Sequence, residues 1–268
     1  MTKELSGILD LEKIAASGQC FRWLKTGERA FTIPAFGRVL HISQDDAGRL
    51  DADCAPEEWE QVWRTYFDVD TDYRAICCDI AQDDSYLRAA AEAARGITIL
   101  RQDFFETLIS FIVSQNNNIP RIKKILHALC AFDAAEGQED QTLCRFPAPE
   151  RIAALSEEEL LRMGLGYRAA YVKETAASYA REPFSADENE PTSDVTRRLM
   201  EYKGVGVKVA SCVALFGLGR KDAFPVDVWV RRILDTRYQQ GFPMERYARF
   251  AGVYQQYMFY YERLLSGA

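Results

Sequence analysis

Lys203-Gly204-Val205-Gly206 is a glycine-rich turn between two segments with helical patterns. Its glycines allow positive φ and let the backbone approach a ligand closely. The helix predicted to start at about Val207 directs its free N–H groups at the turn, where they can hold an anion. We therefore expect a phosphate site on a hairpin formed by Gly204, Val205 and Gly206.

Two ionisable residues near this turn carry possible chemistry. Lys208 stands in the first turn of the following helix, where the helix dipole disfavours a cation, and only a neutral amine can attack a sugar carbon. Asp227, in Pro225-Val226-Asp227, can stabilise the cation that forms. Lysines at such positions are most often solvated charges, and Asp227 also suits the N-cap of a helix over Val228–Tyr238.

Composition predicts a folded globular protein. The 268 residues are 48% hydrophobic and 27% charged, which allows a sizeable core. No stretch of 18 apolar residues and no basic-then-apolar leader occurs, so we expect a cytoplasmic, nucleoid-associated bacterial protein with no membrane contact. The seven scattered cysteines predict buried thiols in a reducing compartment.

The net charge of −7 is distributed unevenly. Residues 45–84 hold thirteen Asp or Glu against three Arg, whereas residues 195–268 hold twelve Lys or Arg against six Asp or Glu. The basic part contains Lys208, and phosphate binding depends on the local field more than on the total charge. Solvated charged faces would give the same pattern.

The first hundred residues predict a small antiparallel sheet. Short β-prone runs occur at Phe21–Lys25, Ala30–Ala35 and Arg38–Ser43. Pro34 predicts an edge position for the second run. A helix from Pro56 follows, with tryptophans on its apolar face that predict core packing.

Helical patterns recur from residue 85 onward. Ser85 is a predicted N-cap, Asp103 with Glu106 and Ser156 with Glu159 are predicted capping boxes, and the run 115–118 is predicted to break a helix. One of Thr192, Ser193 and Asp194 is predicted to cap the helix before the glycine turn. The chain is thus an α+β protein, mostly α.

Several segments together resemble one family, the 8-oxoguanine DNA glycosylase/β-lyases of the helix-hairpin-helix superfamily. They are Ser17–Trp23, Leu100–Asp103, Ser114–Ile122, Gly164–Ala169, the hairpin to Cys212, and Pro225–Val228. The resemblance implies an N-terminal domain with an antiparallel sheet over residues 1–98. It also implies a helical glycosylase region over residues 99–268, with the helix-hairpin-helix at about 194–217.

The resemblance also implies roles at the reacting nucleotide. Lys208 matches the Schiff-base nucleophile and Asp227 the catalytic carboxylate. The residues matching the lesion-base pocket are Gly18, whose carbonyl would accept a hydrogen bond from N7–H, Cys212 and Phe259, which would sandwich the base, and Gln255, which would read its Watson–Crick edge. A core position for Phe259 and a surface position for Gln255 are the ordinary alternatives.

Further matches concern the opposite strand. Asn116 matches the side chain that fills the vacated hole in duplex DNA, and Tyr167 matches a wedge beside the estranged cytosine. Arg121 and Arg168 match the groups that hydrogen-bond this cytosine. A helix-capping loop and a first-turn surface arginine are the alternatives for Asn116 and Arg121.

The chain departs from the family pattern in two places. Trp229 stands where a histidine near a DNA phosphate is usual, and Ser211 stands where an acidic residue is frequent. No cysteine follows Cys212, so we expect no four-cysteine iron–sulfur cluster. No metal or cofactor is expected, apart from a monovalent cation that the hairpin carbonyls could hold.

The predicted function is a monomeric repair enzyme that excises 8-oxoguanine opposite cytosine in double-stranded DNA and then cleaves the abasic strand. One alternative is a glycosylase of the same fold for another damaged base, against which the Gly18 and Gln255 matches argue. The other is a non-catalytic DNA-binding protein, for which loss of Lys208 or Asp227 would be the sign.

Overall fold

The computed structural model describes residues 2–3, 8–133 and 145–267. The strands are Thr2–Lys3 (β1), Leu24–Gly27 (β2), Ala30–Ala35 (β3), Arg38–Gln44 (β4) and Leu50–Ala52 (β5). They form one antiparallel sheet in the order β1-β5-β4-β3-β2. The mostly helical α+β prediction is confirmed.

The described α-helices make up about half of the described residues. They are Leu11–Ala16 (α1), Pro56–Glu58 (α2), Arg64–Tyr66 (α3), Tyr73–Cys78 (α4), Ser85–Ala93 (α5), Phe104–Ser114 (α6), Ile119–Phe132 (α7), Pro149–Ala154 (α8), Glu157–Arg162 (α9), Arg168–Arg181 (α10), Thr192–Leu199 (α11), Val207–Phe216 (α12), Val228–Arg237 (α13), Met244–Tyr247 (α14) and Ala251–Leu265 (α15). A π-helical segment, Trp59–Trp63, joins α2 to α3, and a 3-10 turn, Ala248–Phe250, precedes α15. No helix in the described ranges has the length and apolar character needed to cross a membrane.

Pro34 does not place its strand at the edge of the sheet, as the sequence predicted. Strand β3 lies between β2 and β4. However, β2 begins at Leu24, opposite Thr32, so β3 extends beyond it from Ile33 onward. Pro34 therefore has no partner residue on the β2 side of its strand, so the N–H that proline lacks is not missed there.

Capping follows the sequence at some helices and departs from it at others. The Ser156–Glu159 capping box is present in full. At α6 Asp103 caps Glu106 N–H at 2.9 Å, but the Glu106 carboxylate pairs with Arg22 at 2.8 Å instead of returning to the cap. Residue 84, not Ser85, caps α5. At α11 the N-cap is Pro191, which has no capping side chain, so none of the three predicted caps is used.

Two hydrophobic cores hold these elements together. The first packs the sheet against α1 and the helix that contains Trp59 and Trp63, both at most 1% exposed, which confirms their predicted core role. The second contains residues of every helix from α4 to α15, so α5 belongs to the helical core. The predicted domain boundary at residues 98 and 99 stays a prediction.

A buried ion pair connects the two cores. Lys221 Nζ lies 2.9 Å from Asp68 Oδ2, and Tyr73 Oη donates to the same oxygen at 2.6 Å. Because Lys221 begins the segment that leads to Asp227, this pair fixes the start of that segment against the N-terminal part of the chain.

The cysteines follow their prediction in part. Cys20, Cys130 and Cys212 are buried, as predicted, but Cys78 is exposed. Cys144 lies outside the described residues. In the ranges that the structure describes, no group of three His, Cys, Asp or Glu could hold a metal ion.

Candidate active site

A cleft of about 990 Å³ opens where the N-terminal part of the chain meets the helical part. Its walls come from the segment after α1, the end of α6, the start of α12, the loop before α13, and α15. Eight of the predicted site residues line it: Gly18, Asn116, Tyr167, Lys208, Cys212, Asp227, Gln255 and Phe259. Residues from both ends of the sequence therefore meet in one place.

Lys208 directs its amine into this cleft from the first turn of α12. Its Nζ donates to Ser114 Oγ at 3.2 Å and lies 5.1 Å from the ring centroid of Phe111. Ser114 Oγ in turn donates to Phe111 O at 2.8 Å. The hydroxyl hydrogen is thus committed, so Ser114 can only accept from the amine. Ser114 therefore holds the Lys208 amine at the wall of the cleft by accepting one of its hydrogens.

Asp227 is the N-cap of α13, as its sequence position predicted. Its Oδ1 accepts the Val230 N–H at 2.8 Å. In the described part of the chain, Oδ2 has no hydrogen-bond donor, and the side chain lines the cleft. One oxygen therefore holds the helix, while the other leaves negative charge available to a ligand.

Close approach of α15 fixes the segment before Asp227. Gly252 N donates to Lys221 O at 2.8 Å. A Cβ on Gly252 would lie 2.4 Å from Ala223 O, so only glycine permits this contact. The carboxylate of Asp227 is therefore positioned by its helix on one side and by α15 on the other.

Cys212 connects the lysine and the aspartate electrostatically. The side chain is 3% exposed, and burial raises the pKa of its thiol to about 11, which nearby Lys208 opposes and Asp227 reinforces. The Lys208 and Asp227 side chains thus both influence the Cys212 sulfur. At neutral pH Cys212 is a neutral, polarisable wall of the cleft.

The predicted base pocket contains a glycine that no other residue could replace without strain and a buried amide oxygen without a hydrogen-bond donor. Gly18 has φ +76°, and a Cβ there would lie 3.0 Å from Phe259 Cε1. Gln255 is 4% exposed, and its Oε1 is buried without a hydrogen-bond partner. A buried acceptor of this kind costs free energy until a ligand donates to it. Gln255 is therefore neither a surface residue nor a satisfied core residue.

The loop after α6 is held in an uncommon conformation. Asn116 has φ +46°. The Arg168 guanidinium, 3% exposed, donates to Gln115 O and, at 2.9 Å, to Asn116 O. Gln115 Nε2 also donates to Gly204 O at 2.9 Å. The loop carrying Asn116 is thereby joined to the hairpin that precedes Lys208.

The two predicted arginines do not line the cleft. Arg168 lies 4.4 Å from the ring centroid of Tyr167, which is 55% exposed, and serves the backbone of the Asn116 loop. Arg121 is exposed and donates to Gly164 O at 3.3 Å. In this conformation Arg168 is a positioning residue for the Asn116 loop.

The hairpin follows its prediction at one glycine only. Gly204 has φ +76°, and its Cα faces the Tyr171 ring so closely that a Cβ would lie 2.4 Å from it. Gly206 has φ −93°, which any residue adopts, so the positive φ that glycine allows is used at Gly204 and not at Gly206. A Cβ on Gly206 would meet nothing within 4 Å. Phosphate binding by Gly204, Val205 and Gly206 stays a prediction, as does a cation at the hairpin.

The two departures from the family pattern have different surroundings. Trp229 lines the cleft, with the Arg232 guanidinium 5.8 Å from its ring centroid. Ser211 is 7% exposed on α12 and is not part of the cleft lining.

Sequence reasoning did not select Ser114, Gln256 and Arg263, all of which line the cleft. Ser114 belongs to a segment that carries the family resemblance, Ser114–Ile122, but the resemblance implies no role for it. Arg263 follows Phe259 by four residues, so helical spacing could have placed both on one face of α15.

Known proteins share both the sequence and the fold of this chain. A family model for the N-terminal domain of 8-oxoguanine DNA glycosylase matches residues 3–108, and one for the HhH-GPD superfamily of base excision DNA repair proteins matches residues 109–241. A structure of MBOgg1 in complex with a low-affinity DNA ligand is 33% identical, with a TM-score of 0.89, and the match covers 99% of this chain and 96% of that one. The chain belongs to the 8-oxoguanine DNA glycosylase family.

Two other relatives are similar to this chain over most of its length. The N-glycosylase/DNA lyase OGG1 of Arabidopsis thaliana is 31% identical over 81% of this chain, which spans 63% of the plant protein's length. The Clostridium acetobutylicum 8-oxoguanine glycosylase/lyase, in complex with double-stranded DNA containing cytosine opposite 8-oxoguanine, is 29% identical with a TM-score of 0.86. That match covers 97% of this chain and 93% of the clostridial one.

Proposed function

We propose that this chain excises 8-oxoguanine from double-stranded DNA and then cleaves the abasic strand. One observation carries the proposal: Lys208, Asp227 and the unpartnered Gln255 Oε1 belong to the same cleft. A nucleophile, an anion and a buried hydrogen-bond acceptor are what removal of a recognised base needs. Family membership and the two family-model matches add to this.

The first step breaks the bond between C1′ and N9 of an extruded nucleotide. The base must leave the stack, because C1′ is inaccessible inside the duplex. The neutral Lys208 amine attacks C1′ while the Asp227 carboxylate stabilises the positive charge developing on the sugar. The bonding electrons leave with N9, which then takes up a proton.

The second step breaks the strand. The lysine nitrogen gives up one proton, and its lone pair then breaks the C1′–O4′ bond. O4′ takes up a proton as the sugar ring opens, which leaves a protonated imine between Nζ and C1′. Removal of a C2′ proton then expels the 3′ phosphate by β-elimination. The imine is the electron sink for this step, so one residue serves both reactions.

Base recognition depends on two acceptors of fixed position. The lesion carries a proton on N7, which can be donated to the Gly18 carbonyl, whereas guanine presents an N7 acceptor there. The N1–H and amino groups of the base are donors that suit Gln255 Oε1. Cys212 and Phe259 are the proposed faces on either side of the base.

Cytosine selectivity belongs to the opposite side of the cleft. Asn116 fills the hole left by the extruded nucleotide, and the exposed Tyr167 ring wedges beside the cytosine. Arg121 and Arg168 supply hydrogen bonds to that cytosine once Arg168 releases the Asn116 loop. The hairpin at Gly204–Gly206 binds a backbone phosphate, and the protein acts as a monomer at the bacterial nucleoid.

Borohydride trapping tests the proposed function. Reduction of the imine gives a covalent protein–DNA adduct, which is expected with a duplex containing 8-oxoguanine opposite cytosine and, in smaller amount, opposite adenine. An undamaged duplex is the control. A panel with an alkylated purine and an oxidised pyrimidine separates the same-fold alternative. Salt-dependent binding without any adduct or base release would reject the enzymatic function.

Gly18→Ala is expected to lower 8-oxoguanine excision by about 100-fold or more, because its Cβ would enter the space beside Phe259 and strain the backbone. Cleavage of a pre-formed abasic site should change little, since no base has to enter the pocket. Single-turnover rates on the two substrates measure this. Gly241→Ala is a control, because Gly241 also has positive φ, +90°, but no atom lies within 4 Å of its Cβ position. Equal losses on both substrates in Gly18→Ala would contradict the assigned pocket.

A further inference from the structure

Helix α15 holds the turn that contains Gly18 at two successive carbonyls. Gln256 Nε2 donates to Ser17 O, and Arg263 Nη1 donates to Ala16 O at 3.1 Å. Gln256 and Arg263 are seven residues apart, so they lie on one helix face two turns from each other. Phe259 lies between them on the same face, and the Arg263 guanidinium is 5.6 Å from its ring centroid.

The residue after Gly18 is held just as firmly. Gln19 Nε2 donates to Thr98 O at 2.9 Å, and Gln19 Oε1 accepts the Leu100 N–H at 2.8 Å. Gln19 O accepts from Gln102 Nε2 at 2.7 Å. The carbonyls of residues 16, 17 and 19 are therefore all engaged. Within the described residues, the Gly18 carbonyl has no hydrogen-bond donor.

We propose that Gln256 and Arg263 are specificity-determining residues that act by positioning the Gly18 carbonyl, and we call the pair the α15 brace. This inference rests on the proposed function and names a role within it. Glycine is the residue whose backbone turns most readily. A carbonyl that could turn away from the pocket would tolerate the N7 acceptor of guanine and would lose the hydrogen bond to the lesion. Fixing the neighbouring carbonyls prevents this rotation.

The brace also controls the stacking ring. A Cβ at residue 18 would lie 3.0 Å from Phe259 Cε1 and 4.0 Å from Arg263 Nη1, so the ring and the guanidinium both border the open side of Gly18. Arg263 thus connects the Gly18 carbonyl, proposed to bind N7–H of the base, with the Phe259 ring, proposed to stack on the base. Neither Gln256 nor Arg263 needs to touch DNA for this effect.

The test compares Gln256→Met, Arg263→Met and Arg263→Lys with the wild-type chain on two substrates. One duplex carries 8-oxoguanine opposite cytosine, and the other carries a pre-formed abasic site opposite cytosine. Each methionine variant should excise 8-oxoguanine about tenfold more slowly, the effect of about one net hydrogen bond, yet cleave the abasic site within about twofold of wild type. Arg263→Lys should restore most of the loss, because its ammonium group can still donate to Ala16 O.

Arg249→Met is the matched control. Its exposed guanidinium lies 5.0 Å from the Phe250 ring centroid, outside the cleft, and its loss should change neither rate. Melting temperatures identify a variant that fails to fold. If Arg263→Met fails to fold, Arg263→Lys and Gln256→Met are compared with the wild-type chain instead. Equal losses on both substrates would show that Arg263 acts through Asp227 or the DNA backbone, which contradicts the proposed role of the brace. Unchanged rates on both substrates would contradict it as well. A wild-type chain that leaves 8-oxoguanine intact would instead reject the proposed function itself.

Discussion

Lys208→Gln is expected to abolish the borohydride-trapped adduct and to lower base excision by at least about a thousandfold. A glutamine side chain can keep the hydrogen bond to Ser114 Oγ, but its amide nitrogen has no available lone pair. The variant should still bind duplex containing 8-oxoguanine, because Gly18, Gln255 and Phe259 are unchanged. Trapping, single-turnover excision and equilibrium binding measure the three outcomes on one protein preparation.

A second lysine provides the control for Lys208→Gln. Lys203 lies in the same hairpin, but its Nζ forms an exposed pair with Glu174 at 3.6 Å and does not line the cleft. Lys203→Gln should retain the adduct and lose only a modest, salt-dependent part of the DNA affinity. Strand cleavage by Lys208→Gln at the wild-type rate would show that another residue is the nucleophile.

Asp227→Asn is expected to separate the helix-capping role of this side chain from its proposed electrostatic role in base excision. Asparagine is as good an N-cap as aspartate, so α13 should keep its start and the free energy of unfolding should change by less than about 1 kcal/mol. The negative charge is lost, and excision should fall by about 100-fold to 1000-fold, as when one electrostatic contact to a transition state is removed. Thermal unfolding and single-turnover excision give the two values.

Asp72→Asn is the control for the capping change alone. Asp72 is exposed, caps α4 through a 2.9 Å bond to Ala75 N–H, and lies outside the cleft lining. It should alter neither rate nor stability appreciably. An Asp227→Asn protein that melts early yet excises 8-oxoguanine normally would show that Asp227 is only a cap.

Local patterns predicted the parts of this structure that depend on near neighbours. The N-cap at Asp227, the helix break after Ser114, and the start of α12 all follow from a few consecutive residues. Strands β3 and β4 were found for the same reason, since alternation and turn residues are local features. Lys208 and Asp227 meet in the cleft because the helices that carry them are adjacent in sequence.

Contacts between distant residues account for what the sequence did not predict. Glu106 leaves its expected capping box because Arg22, 84 residues earlier, takes its carboxylate. The role of Arg168 at a DNA base stays a prediction, whereas its donation to carbonyls more than 50 residues away in the Asn116 loop had no signal in the sequence. Ser114 and Gln256 gain their importance from Lys208 and Ser17, which are distant in sequence, and Arg263 does so from Ala16 in addition to its near neighbour Phe259. Pro34 occupies an interior strand because the neighbouring strand ends early, which depends on pairing register.

The hydrogen bonds of the α15 brace close loops of 239 and 247 residues. Contacts of such high sequence separation form after local structure has been ordered, because the entropy of closing the loop must be overcome first. During synthesis the helices that carry Lys208 and Asp227 can therefore pack together before Ala16 and Ser17 have met α15. Under the proposed assignment of the pocket, a ribosome-bound chain without α15 would present Lys208 but would lack Gln255, Phe259 and the brace. Discrimination between damaged and normal guanine would then arise later in folding than the approach of Lys208 to Asp227.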